Sequence, residues 1–116
     1  MNEYDLINEL NDLCNKLTTS GAQLQRYGLA KAKAEKEYKI CLREHALRLR
    51  VTKDYPVTLI DKTVYGEPEV AEKRFNRDVA ETMYDTAKES INVLKLKIRI
   101  LDNEIAREWG NAGKMV

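Results

Sequence analysis

From Ala80 to Ile105 an apolar residue recurs at alternating steps of four and three: Ala80, Tyr84, Ala87, Ile91, Leu94, Ile98, Leu101, Ile105. A mean step of 3.5 residues keeps one stripe of a helix facing one neighbour along its whole length, so this stretch is predicted to be a helix pressed lengthwise on another helix. A strand, with its period of two, has no use for such a pattern. Pro68 suits the first turn, where its missing N–H costs nothing, and Gly110 and Gly113 offer a stop. The predicted helix therefore covers about 68–109, with a frayed tail over 110–116.

The same helix carries a second apolar stripe. Val79, Val93, Leu96 and Ile100 stand at heptad positions c and f, away from the seam. One neighbour needs one stripe, so a second stripe implies a second partner. That partner is either a third helical segment of this chain or another copy of it.

Upstream, Leu6, Leu10, Leu13 and Leu17 share a face, with Asn2 placed to cap and acids in the first turn. Counting in sevens from Leu10 gives Leu17, Leu24, Lys31, Tyr38 and His45; from Leu6 it gives Leu13, Ser20, Tyr27, Ala34, Cys41 and Arg48. The phase survives the Thr18-Thr19-Ser20-Gly21 run, which a loop has no reason to preserve. One helix over about 3–50 is predicted, against an alternative of two helices broken at 18–21. Gly21 and Gly28 weaken it by about 1 kcal/mol each relative to Ala.

The 51–66 connection holds Asp54-Tyr55-Pro56, which reads as a turn because Pro56 disfavours helix at Tyr55. Thr58, with Asp61 three residues on, has the form of a capping box for a short helix over 59–65 that Gly66 would stop. Val57, Leu59, Ile60 and Val64 would tuck against the hairpin tip. The expected fold is all-α: a single domain, residues 1–116, built as a long antiparallel, coiled-coil-like helical hairpin. Two helices alone leave much apolar surface bare, so assembly into a four-helix bundle dimer or a higher oligomer is expected.

Charge supports the antiparallel direction. Residues 21–53 carry nine bases against three acids, and residues 67–89 carry seven acids against four bases. Residues 1–20 carry four acids against one base and would meet Lys95, Lys97, Arg99 and Arg107. Exposed pairs are worth about 0–1 kcal/mol each, so they set register while the seam supplies the driving force, about 25 cal/mol per Å² buried.

Little in the chain points to catalysis, and no cofactor is expected. A net charge of +1 gives no global field to steer nucleic acid or an acidic surface. There is no phosphate-cradling glycine loop. One His and two cysteines 27 residues apart cannot make a zinc site without carboxylates. Cys14 and Cys41 are expected to be small buried hydrophobes in a reducing compartment. His45, with Cys41 one turn before it, has the spacing of a nucleophile pair or a metal ligand, but a buried polar residue that fixes register fits better. Tyr27, Tyr38, Tyr84 and Trp109 are expected to pack. Residues 1–5 do not begin a signal peptide, and no apolar run approaches the roughly 20 residues of a membrane span.

One surface pattern stands apart. Lys36, Lys39, Arg43, Arg50 and Lys53, with Tyr55 nearby, fall on one helical face near the tip. Basic side chains beside an aromatic can track a phosphate backbone; the other reading is a solvated face neutralised by the acids of 67–89.

Several blocks in fixed order carry a resemblance. They are Lys33-Ala34-Glu35-Lys36-Glu37-Tyr38-Lys39, Asp54 to Ile60, Glu69 to Ala80, Ile91 to Lys95, Ile98 to Leu101, and Arg107-Glu108-Trp109-Gly110. Together they resemble a family of short helical proteins encoded by tailed phages and prophages of low-GC Gram-positive bacteria. The resemblance implies a phage origin and the host bacterial cytoplasm, and it brings no activity or catalytic residue. The expected function is a non-enzymatic interaction or assembly protein, an adaptor or inhibitor of a host or phage protein, with Val79, Val93, Leu96 and Ile100 as its oligomer interface. The alternative is a nucleic-acid-associated protein of phage replication or recombination that uses the basic stripe.

Overall fold

The computed structural model describes residues 2–114, with side chains described through Gly110. Every regular element among them is helical: α1 (Glu3–Val51), α2 (Val57–Thr63), a single 3-10 turn (Val64–Gly66) and α3 (Pro68–Lys114).

The start of α1 is capped as its first residues dictate. The Asp5 N–H donates to Asn2 Oδ1 at 2.9 Å, and Glu3 and Asp5 place carboxylates in the first turn. The helix runs unbroken through 18–21. Thr18 and Thr19 donate their hydroxyls to the carbonyls of Cys14 and Asn15, each at 3.1 Å, so these residues are satisfied inside the helix instead of breaking it. At the other end Asp54 takes a left-handed φ of 54°, a conformation Asp tolerates. The Tyr55 N–H then reaches back to the Leu49 carbonyl at 3.1 Å.

Two expected boundaries are corrected. Thr58 does not cap α2: the N-cap is Pro56, no side chain caps it, and the Pro56 carbonyl accepts from the N–H groups of Leu59 and Ile60 at 3.0 Å each. Pro56, extended at φ −66° and ψ 155°, already aims that carbonyl into the helix. Nor does Gly110 close α3, which runs on to Lys114. A glycine stop works through a left-handed residue, and no described glycine has positive φ; in right-handed form glycine only weakens a helix. Of the tail expected to fray, residues 115 and 116 lie outside the described residues.

The chain divides into two compact units, one joining residues up to Gln25 with those from Thr86 onward, the other covering Arg26–Asp85. In the Arg26–Asp85 unit the antiparallel direction is explicit. Glu67 meets Arg48, Glu69 meets His45, Lys73 meets Glu37 and Arg77 meets Glu35, and the Tyr84 ring lies 4.8 Å from Lys31 Nζ. As the α3 number climbs, the α1 number falls. Its core joins Tyr38, Cys41 and Leu49 of α1 to Ile60, Val64 and Val70. Thus α2 and the 3-10 turn deliver Ile60 and Val64 inward as expected, while Val57 and Leu59 stay exposed, because a two-turn helix has only one inner face.

In the other unit Leu6, Ile91 and Leu101 are buried, and Leu10, Leu13, Leu17, Leu24, Leu94, Ile98 and Ile105 are half-buried. All eight seam residues from Ala80 to Ile105 are thus removed from full exposure. Cys14, expected inside, is exposed: it stands one place beyond Leu13, and one helical step turns a side chain about 100° off a stripe. Trp109, expected to pack, is also exposed.

Candidate functional site

The face of α1 that meets the tip core reads Tyr38, Cys41, His45, Leu49, steps of three, four and four, and all four residues are buried. An imidazole in that row needs partners for both ring nitrogens. His45 has them. Its Nε2 lies 3.0 Å from Glu69 Oε2, and Arg48 Nη2 lies 2.7 Å from its Nδ1. A guanidinium only donates, so Nδ1 accepts from Arg48 and Nε2 carries the proton that Glu69 receives. Arg48 also stands 3.8 Å from Glu67.

Glu69 lies in the first turn of α3, where a helix favours negative charge. The His45 hydrogen bond, helped by the charges of Lys73 and Arg48, holds its carboxyl below the usual carboxylate range. Cys41 is affected in the opposite sense. Burial, followed by the Glu69 and Glu44 carboxylates, pushes its thiol up. Activation of a cysteine nucleophile needs the reverse, a thiol made more acidic by positive charge or a paired base. Here the imidazole is engaged on both nitrogens, and neither is left to take the thiol proton. The ligating atoms of Cys41, His45 and Glu69 lie within 4.8 Å of one another. An open cleft of about 250 Å³, lined by Glu37, Ile40, Cys41, Glu44, Glu69 and Lys73, reaches Cys41 and Glu69.

The basic stripe lies elsewhere on the same unit, facing outward. Lys36, Lys39, Arg43, Arg50 and Lys53 are exposed and Tyr55 is half-buried. Among the described residues no ion pair joins the stripe to an α3 acid. Lys39 pairs with Glu35 of its own helix at 3.5 Å, Arg50 donates to the Tyr55 carbonyl at 3.1 Å, and Lys53 sits 6.0 Å over the Tyr55 ring. Lys36 and Arg43 make no ion pair among the described residues. The reason is positional: the α1 residues flanking the seam are Glu35, Glu37 and Arg48, so two of the cross-helix pairs, Lys73–Glu37 and Arg77–Glu35, run with the signs reversed.

The residues of the second α3 stripe are all exposed: Val79 40%, Val93 45%, Leu96 51% and Ile100 56%. No segment among the described residues covers them, which removes the reading in which a third helix of the same chain does so. In the Arg26–Asp85 unit Val79 is joined by exposed Phe75 and Met83.

Sequence reasoning placed His45 on the seam and missed Glu69 as its partner. The signal was available in the hairpin register, since a chain that turns back over 51–66 sets the first turn of α3 beside the last turns of α1. No family model matches the sequence, and no curated protein or solved structure matches the chain. The resemblance to phage helical proteins rests on the quoted blocks alone.

Proposed function

We propose that this is a non-enzymatic helical interaction protein that self-associates through the outer stripe of α3 and presents its remaining faces to a protein partner, in a phage or its host. The observation that carries the reading is the exposure of Val79, Val93, Leu96 and Ile100 at heptad spacing. Stripes of this kind mark association surfaces.

The pattern along α3 is close to palindromic. A two-fold axis between Ala87 and Lys88 sets Phe75 against Ile100 of a second copy and Val79 against Leu96, with Met83 and Val93 one residue out of register. The small residues Thr86 and Ser90 then lie near the centre, where two helices approach closely, and Asp78 comes level with Lys97. An antiparallel pairing of two α3 helices satisfies isologous symmetry and completes a four-helix bundle. Light scattering on the full chain is expected to give twice the 13.4 kDa chain mass. Leu96→Asp is expected to give the single-chain mass with helical circular dichroism retained. A monomeric wild type at tens of micromolar would overturn the reading.

A second reading is favoured by one observation, the exposure of Lys36 and Arg43 without an acidic partner among the described residues. On a dimer two such stripes would bind a phosphate backbone, with an affinity that falls steeply with salt. Charge reversal at Lys36, Lys39 and Arg43 is then expected to abolish DNA retardation while the dimer persists. A membrane is not the target we favour: no helix among the described residues is long and apolar enough to cross one.

A further inference from the structure

The row of buried side chains on α1 contains one arrangement that self-association does not use. Cys41 and His45 are one helical turn apart on the same face, and Glu69 reaches them from α3. A thiol sulfur, an imidazole nitrogen and a carboxylate oxygen therefore converge from two elements, all within 4.8 Å of one another. A tetrahedral zinc ion with bonds of about 2.0–2.3 Å separates its ligand atoms by about 3.2–3.8 Å. The Nε2–Oε2 distance of 3.0 Å is already near that edge, and the rest closes with side-chain adjustments of about 1 Å. Burial of Cys41 and His45 fixes two of the donors before any ion arrives, which lowers the ordering cost of binding. Glu69, more exposed, borders the cleft, so an ion has a path in and a coordination position left for water.

We propose that Cys41, His45 and Glu69 form a three-ligand site for a zinc-class divalent cation, with Arg48 as a built-in competitor that occupies the imidazole until the ion displaces it. The donor set selects the class. Thiolate and imidazole suit zinc, cobalt and cadmium, whereas magnesium and calcium take oxygen ligands. The competitor follows from the tautomer. An ion on Nε2 requires the ring proton on Nδ1, where the Arg48 guanidinium now donates at 2.7 Å, and two donors cannot face each other. Arg48 is half-exposed and has Glu67 3.8 Å away to turn to. The protons balance. The Cys41 thiol releases one to solvent, the imidazole proton passes from Nε2 to Nδ1 through water, and Glu69 enters as the carboxylate, so one proton leaves per ion bound.

The test uses the full chain, reduced and stripped with chelator, titrated with cobalt(II) and then competed with zinc. Expected is a 1:1 complex with intense tetrahedral visible bands and a thiolate charge-transfer band, retained in Cys14→Ser and lost in Cys41→Ser. His45→Gln and Glu69→Gln are each expected to weaken binding at least tenfold, and Arg48→Gln to strengthen it. No 1:1 cobalt spectrum from wild type or Cys14→Ser protein overturns the site, even where a ligand variant fails to fold. A thiolate band lost with Cys14 in place of Cys41 overturns it equally. Unchanged affinity in Arg48→Gln overturns the competitor role of Arg48. The cobalt spectrum is read separately from the oligomer mass, so this site and the α3 interface stand or fall independently.

Discussion

The two units are built from the same pair of helices, yet they bury their seams to different depths. In the Arg26–Asp85 unit six buried residues form one cluster, because α2 and the 3-10 turn add Ile60 and Val64 to what α1 and α3 supply. In the unit holding the chain ends, three of the described residues are buried and the other seam leucines and isoleucines stay half-exposed. Two helices in contact share a line; a third segment is needed to enclose a volume. A few residues of connection thus turn the seam of the Arg26–Asp85 unit into a core, and the seam of the other unit stays half-exposed.

The largest test of that contrast is truncation. Leu49→Ala, in the enclosed core, is expected to cost about 2–5 kcal/mol in chemical denaturation. Leu94→Ala, in the half-buried seam, is expected to cost less than about 2 kcal/mol, since less apolar area returns to water. Equal losses would erase the distinction between the units. A smaller effect is expected at Gly21, where an added Cβ meets nothing within 4 Å. Gly21→Ala should stabilise the terminal unit by about 0.5–1 kcal/mol, read as a raised denaturation midpoint.

The two thiols sharpen the comparison further. Cys14 is exposed and Cys41 buried, and burial also pushes the Cys41 thiol up. An alkylating reagent near neutral pH is expected to label Cys14 at once and Cys41 far more slowly. Comparable rates at both would mean that the tip core is not closed.

The smallest effect concerns acid, measured in the presence of chelator. Because the folded state holds Glu69 below its ordinary range, the contribution is present above the unfolded carboxylate value, about 4.3, and disappears as pH falls through the lower folded value. Glu69→Gln should flatten that part of the stability profile. An unchanged acid slope would remove the His45–Glu69 contact from the account of stability.

Much of the fold was legible in particular residues. The sevens counted through Lys31, Tyr38 and His45 predicted a helix that ignores the Thr18–Gly21 run, and it does. Pro68 opened α3 where expected, and Asn2 caps α1. The site was less legible. His45 was visible as a seam residue, but Glu69 looked like one of seven acids, and the basic stripe was expected to meet carboxylates that in fact face elsewhere.

By itself, then, the sequence determined the helices and their phase, because a 3.5-residue repeat and a cap are local properties that neighbouring residues decide together, and its short 51–66 connection set their antiparallel sense. Only the tertiary structure decided that Cys41, His45, Arg48 and Glu69 converge and that the α3 stripe has no cover among the described residues. The pairings with Glu69 join residues more than 20 positions apart through a connection whose path sets the register, and a shift of one residue turns a side chain by about 100°.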